Sequence, residues 1–497
     1  MENKKYSVID TIYAWLSLVF AFFLCQIAPV ERYPLGGFLL IFALFITGFV
    51  VLGIKKVKIK PICIISAVSA LVIGSALLLT NAWFLIKLSL AYSLASYCYF
   101  LYAAFGNRIE EGFSDYIYID FIKILFVLPF RSLGAIFPAL GSKSQNKGSM
   151  WLVKILLGIG IAIVPTVMVL LFLSYDNDFV NLLDNIFTLD EEKVLRILRS
   201  LFYSLPLAMF GFGLYASSRD KHLHSQMTAQ ACSSGLQKTK ILPQLTALVA
   251  VLPVLFLYVV FFISQWKYYV SGFTGVLPED FSYAEYARQG FFELCAVSVL
   301  NLILIVGIAF FIKRGKKGSP VILKIVAAVF CLCTLILIST AVAKLVMYIE
   351  TYGLTQKRIY AMWLMALIGI VFLVIAAGQF LPKMKVVAVC VSIAIVMFAG
   401  LSVCNVNALC AKYNVDRYLS GSLSTIDVSN MEELGDSAIP SLVRLATDED
   451  GIKDAVLNDH INHLLDNRVS RMKEEEFSVF SFSIPSLLAK AALKDYK

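Results

Sequence analysis

Few residues in this 497-residue chain have the types and spacing for chemistry, and each group lies beside an apolar run. Asp176-Asn177-Asp178 is a D-x-D, a spacing with which two carboxylates can hold a divalent metal together with a nucleotide or lipid phosphate. Helix capping by solvated acidic residues explains the same three residues more simply. Arg288 and Glu293 belong to the string Tyr283-Ala284-Glu285-Tyr286-Ala287-Arg288-Gln289-Gly290-Phe291-Phe292-Glu293-Leu294. On a helix Arg288 stands one turn from Glu285. Arg and Glu at the edge of an apolar run could form a partly buried pair or cradle a charged headgroup.

The remaining polar groups are weaker. Asp459-His460-x-x-His463 places His463 one turn from Asp459, a start toward a zinc site that lacks a further ligand, so a solvated helix face is the plainer reading. His222-Leu223-His224 has only Asp220 nearby, and Cys331-Leu332-Cys333 has no His or carboxylate in step with it. Six of the ten Cys lie inside apolar runs, where Cys behaves as a small hydrophobe; Cys404 and Cys410 are close enough in sequence to pair on an oxidising side. The chain has no Walker, Rossmann, G-x-S-x-G or H-E-x-x-H string, so neither a cofactor nor a metal is expected.

What must position these residues is a membrane. Hydrophobic residues make up 59% of the chain and charged residues 15%, and the mean hydropathy is +0.79. A water-soluble core of this size cannot absorb so much apolar surface. The net charge of +9 is spread in short clusters beside apolar spans, which suits anionic lipid headgroups as partners rather than nucleic acid.

At about 20 residues per crossing, spans fall near 11–30, 34–54, 62–80, 82–105, 150–174, 199–217, 241–264, 288–312, 320–348, 359–380 and 386–404. The fold class is therefore all-α, a polytopic bundle of about 11 spans. Parity puts the loops with Lys55 to Lys60, Arg219 to Lys240, Lys313 to Lys317 and Lys383 to Lys385 on one side, and the acidic loops on the other. By the positive-inside rule the N-terminus is cytoplasmic and the C-terminus extracytoplasmic.

Two segments escape this pattern. Ile117–Leu140 is apolar enough to span but carries Asp120, Lys123, Pro129 and Arg131; parity makes it an amphipathic helix or hairpin at the cytoplasmic interface. The tail, 405–497, has 15 acidic and 10 basic residues. Apolar residues at helical spacing, Ile439, Leu442, Leu445 and Val456, Ile461, Leu464, read as a small helical extracytoplasmic domain. The chain thus divides into 1–149 with four spans and the interfacial helix, a membrane core over 150–404 with seven spans, and the tail.

No span carries a charge at its midplane. Lys87, Lys154, Lys324 and Lys344 lie within about two turns of a span end, where they can snorkel. Asn301 is the deepest strongly polar side chain, suited to an interhelical hydrogen bond. Arg32, Arg199, Arg288 and Arg358, each followed by aromatics, read as interfacial anchors. Consecutive hairpins tend to pack together, so Asp176, Asp178, Arg288 and Glu293 are expected to meet in a groove at the outer face.

The Tyr283–Leu294 string resembles the Y-A-x-x-A-R-x-G-F-F-E-L string of a family of uncharacterised bacterial multi-pass membrane proteins with a domain of unknown function. Ser174-Tyr175-Asp176-Asn177-Asp178-Phe179, Tyr352-Gly353-Leu354-Thr355, Tyr413-Asn414-Val415 and Asp436-Ser437-Ala438-Ile439-Pro440 are similar to further stretches of it, so the match runs from about 150 to 445. Tyr175 departs from that family's small residue. The resemblance implies a fold and a topology and brings no activity. The residues favour a non-catalytic or transport-type membrane protein: permease-like, accessory or sensing. The alternative is a membrane enzyme acting on lipid-linked substrates at the outer face, with D-x-D as its acidic site.

Overall fold

A computed structural model of the chain describes residues 6–27, 33–141, 191–220, 229–264, 283–313, 321–381, 383–448, 454–474 and 478–496, with 169 and 452 besides; at 191–195, 229, 283–290, 474 and 495 only the backbone is described. Among the described residues ten helices are long and apolar enough to cross a membrane. They are α1 (Val8–Gln26), α2 (Pro34–Ile54), α3 (Pro61–Leu79), α4 (Trp83–Ala104), α5 (Glu191–Arg219, apolar from Arg196), α7 (Gln244–Ser264), α8 (Tyr283–Phe311), α9 (Val321–Tyr352), α10 (Gln356–Phe380) and α11 (Val386–Val403). The short α6 (Ala229–Thr239) precedes α7. Among the described residues there is no strand, only an isolated bridge between Leu242 and Ile312. Each of ten expected spans has its helix, and the eleventh, 150–174, lies but for residue 169 outside the described residues.

Local sequence fixes the helix starts. Pro34 and Pro61 open α2 and α3, where the missing N–H costs nothing. Thr355 caps α10 by accepting from the Arg358 amide. The spans then turn large side chains outward: Phe256, Ile263, Phe292 and Ile303 are each about two-thirds exposed or more, as lipid contact permits.

Two apolar clusters divide the bundle. One joins α1, α2, α4 and α5 around Tyr102, Phe212 and Tyr215, together with Cys63, Ala67, Ala70 and Leu77 of α3. The other joins α7 to α11 around Phe330, Leu337 and Phe372, takes in Ile73 and Leu85 from α3 and α4, and continues into the tail. Helix α5 pairs along its length with α1. The ends of α2, α4, α5 and α8 and the starts of α1, α3, α7 and α11 lie at one end of the bundle. Lys55 and Arg219 meet Asp10 there, Lys385 meets Glu110, and the Leu242 and Lys313 backbones pair. The basic loops thus share an end, as parity requires.

Ile117–Leu140 is broken, its two helical pieces, Ile117–Arg131 and Leu133–Leu140, bent by 54°. Pro129 and the irregular Ser132 interrupt it. Its beginning, middle and finish all touch the basic end: Asp120 accepts from Tyr102 near the close of α4, 2.7 Å. Ser217 Oγ of α5 donates to the Leu128 carbonyl, 2.7 Å, and Thr11 Oγ1 of α1 donates to the Ala139 carbonyl, 2.9 Å. Both ends of the segment lie at that end. Gly141 is therefore at the basic end while α5 starts from the opposite end, as a span over 150–174 requires.

The tail folds on the opposite end as α12 (Val406–Leu419), α13 (Val428–Glu433), α14 (Ile439–Thr447), α15 (Ala455–Glu474) and α16 (Ile484–Tyr496). Ile439, Leu442 and Leu445 are buried as expected, but α15 buries Leu457, Ile461 and Leu465, while Val456 is 65% exposed. Strict i, i+4 stepping sets that face, one residue on from the Val456, Ile461, Leu464 reading. Cys404 is exposed and Cys410 buried, and both are free thiols rather than a pair; burial pushes the Cys410 thiol up to about 12, which keeps it protonated and inert.

Gly213 of α5 lies against the bent segment so closely that a Cβ would stand 2.6 Å from the Pro129 carbonyl oxygen and 3.1 Å from that of Ser132. Backbone atoms cannot step aside as side-chain tips do. Gly213→Ala should lower stability in detergent by about 1–3 kcal/mol, measured as a shift in the thermal unfolding midpoint, whereas Gly211→Ala, with open space at its Cβ, should not.

Candidate functional site

The densest buried polar group starts from Ser7-Val8-Ile9-Asp10. Ser7 and Asp10 form a capping box: the Ser7 amide donates to Asp10 Oδ2, 2.8 Å, and the Asp10 amide to Ser7 Oγ, 3.4 Å. The carboxylate then takes up partners from two other spans. Lys55 Nζ and Tyr215 OH donate to Oδ1 at 2.6 and 2.7 Å, and the Arg219 guanidinium pairs with Oδ2. Asp10 is fully buried, and its cations are 15% and 29% exposed. Tyr13, tilted against the Tyr215 ring at 4.3 Å between centroids, shares a 2.8 Å hydroxyl bond with Tyr97.

A second carboxylate, Asp120, is also fully buried. Asp120 accepts from Tyr102, while its Oδ2 has no hydrogen-bond partner; Arg108 Nε and Tyr99 OH are likewise buried without one. Lys385 donates to Glu110 at 2.7 Å, and Asp115 Oδ1 caps α11 by accepting from the Val387 and Ala388 amides, 3.0 and 3.2 Å. These contacts tie the 105–116 loop to both clusters. A carboxylate saturated by two cations is a poor general base, so the arrangement is suited to holding helices together.

Inside the bundle, Asn301 of α8 is fully buried. Its Nδ2 donates to Thr334 Oγ1 of α9 at 2.9 Å, and its Oδ1 accepts from Tyr258 of α7 at 2.5 Å. Three spans meet at one amide. A cleft of about 100 Å³ reaches Phe330 and Ile305 beside it, lined by apolar side chains except for Gln379. Lys344 does not snorkel: it is 9% exposed because α9 runs eight residues beyond it to Tyr352, roughly 12 Å of further helix. Lys87 does reach toward a span end, over the Trp83 ring at 4.8 Å.

Of the expected outer groove, Asp176 and Asp178 lie outside the described residues, as does the side chain of Arg288, whose backbone is in α8. Glu293 is exposed on α8, within electrostatic range of Lys344. Their meeting is thus beyond the described residues. Arg358, expected as a headgroup anchor, instead donates to the Tyr352 and Gly353 carbonyls and covers the Tyr348 ring at 4.2 Å. Among the described residues no cluster of His, Cys, Asp and Glu could hold a metal; His463 faces Asn467 at 3.2 Å.

The tail is joined to the bundle by amides. Asn414 Oδ1 accepts from the Leu354 amide, 2.6 Å, and its Nδ2 donates to the Leu354 carbonyl, 2.8 Å. Gly353, at φ +77°, leaves no room for a Cβ against Asn414. Asn81, between α3 and α4, donates to the Leu434 carbonyl at 2.7 Å and accepts from Asn407 and Ser437 at 3.0 and 2.6 Å. Arg468 grips Asp436 with two bonds, 2.6 and 2.9 Å.

These features define a polytopic α-helical membrane protein with a helical tail locked to one end. The chain belongs to the family of the domain of unknown function DUF4153, whose model matches residues 67–445. No curated protein and no solved structure matches it. The match begins well before 150: most of α3, α4 and the bent segment fall within it, while Asp10 and Lys55 precede it. Asp10 escaped the sequence reading because that reading began the first span at 11; the S-x-x-D spacing before an apolar run was the available signal.

Asp10→Ala would leave two cations facing a buried hole. It should cost about 3–5 kcal/mol, toward the lower figure because Arg219 is partly exposed. Lys55→Met, which leaves Arg219 as counter-charge, should cost clearly less. Denaturant midpoints of the purified variants in one detergent compare the two.

Proposed function

We propose that the protein is a non-catalytic component of the bacterial cell membrane with an accessory or sensing role, its N-terminus and basic loops cytoplasmic and its tail outside. The observation that carries this reading is the closure of the deepest polar group: Asn301 is consumed by Tyr258 and Thr334, and the cleft beside it is apolar. A permease needs a wet, polar route to such a group. Orientation rests on the collection of Lys and Arg at one end of the bundle. Lipids are the natural partners, with anionic headgroups meeting the basic end. The enzyme alternative depends on Asp176, Asp178 and Arg288 meeting at the outer face.

Single Cys residues placed at Asn301, Lys313 and Asn458, in a chain with its native Cys replaced, test both parts of this reading. An impermeant thiol reagent on intact cells should label position 458, label 313 only after permeabilisation, and label 301 in neither case. Labelling at 301 would mean an aqueous route and would favour a permease; reversed labelling of 313 and 458 would invert the topology.

A further inference from the structure

The tail ends in a surface at odds with a solvated domain. Val479, Phe480, Leu487 and Leu488 are 50–61% exposed, and Phe482 and Ile484 more than a third. On α16 the exposure is one-sided. Pro485, Ala489 and Leu493 step by four along the buried face toward α14, while Ile484, Leu487, Leu488 and Ala491 line the other. Lys490 and Lys494 border that apolar stripe and are exposed.

Its height relative to the bilayer is fixed by α2. The turn Val479–Ser481 packs on the first part of α2, where Phe480 Cβ stands 3.6 Å from the Cβ position of Gly36. From there α2 runs on with Leu39, Phe42, Ile46 and Val50 exposed, one face of a span that only lipid can cover. The α2 apolar belt and the Phe480 surface are continuous. α16 also touches the closing turn of α3, Ala76–Leu79, at the same end of the bundle.

We propose that Val479, Phe480, Phe482, Ile484, Leu487 and Leu488 form an interfacial anchor, seated in the headgroup and upper acyl region of the leaflet at the end opposite the basic loops. Lys490 and Lys494 reach from its border to lipid phosphates. The tail is then held in two ways, by the Asn81 and Asn414 amide bonds to the bundle and by the bilayer itself. This rests on the membrane reading alone and is independent of which side is cytoplasmic.

The test uses the full chain, one copy per nanodisc of phosphatidylethanolamine and phosphatidylglycerol, with an environment-sensitive fluorophore on a single Cys at Phe480, Leu487, Leu488 or, as control, Asn458. All four positions are exposed, so the substitutions spare the core. Blue-shifted emission at 480, 487 and 488, with more than half of it lost when the lipids carry a quencher just below the headgroup, is the expected result, with 458 unchanged. Water-like, unquenched emission at 487 and 488 overturns the anchor. So does unquenched emission accompanied by 487-to-487 crosslinking in discs holding two copies, which would assign the face to a second copy of the chain. Neither outcome alters the labelling expected at 301, so the two readings fail separately.

Discussion

A hydrocarbon interior offers no partner to a polar group, and everything in this molecule is arranged around that deficit. The backbone answers it by helix formation, with ten spans among the described residues. Side chains answer it by exhausting one another. Asp10 spends its carboxylate on Ser7, Lys55, Tyr215 and Arg219, and Asn301 spends its amide on Tyr258 and Thr334. Because Asp10 draws partners from the end of α2 and from α5, and Asn301 from α7 and α9, satisfying the polar atoms also fixes which helices are neighbours. In a bilayer, where apolar side chains gain little by leaving lipid for protein, that pairing carries specificity that a soluble fold would draw from its core.

The bent segment shows the same rule under tension. Ile117–Leu140 is apolar enough to enter and carries too many polar groups to cross. The resolution is a bent segment that keeps Asp120 against Tyr102 and meets Thr11 at the same end of the bundle. Its exposed Ile122, Phe126 and Phe130 turn to lipid, and the intimate backbone approach at Gly213 seats it on α5.

Much of this was legible in the residues. Hydropathy and loop charge placed each described span to within a few residues. What escaped was whatever depends on partners far along the chain. Asp10 reads as a pre-helical residue until Lys55 and Arg219 are seen to share its end. Lys344 looks like a snorkelling residue until α9 proves to run on to Tyr352. The α15 register turned on one position, Val456 against Leu457, between which periodicity alone does not choose. The strings around Gly353, Asn414 and Asp436-Ser437 were recognisable as a set, yet nothing in them told that they meet: Asn414 clasps Leu354, and Ser437 bonds Asn81, across the joint between bundle and tail.

The Asp10 hub has a consequence for how the chain is made. Its partners lie 45 and 209 residues downstream, and synthesis adds about 5–20 residues per second. The first span therefore enters the membrane carrying a carboxylate whose lysine follows within seconds and whose arginine comes only after roughly 10–40 s. During that interval α1 and α2 can pair through Asp10 and Lys55, but α1 has no α5 to pack on. The start of the protein must wait, half assembled in the bilayer, for the helix that completes it.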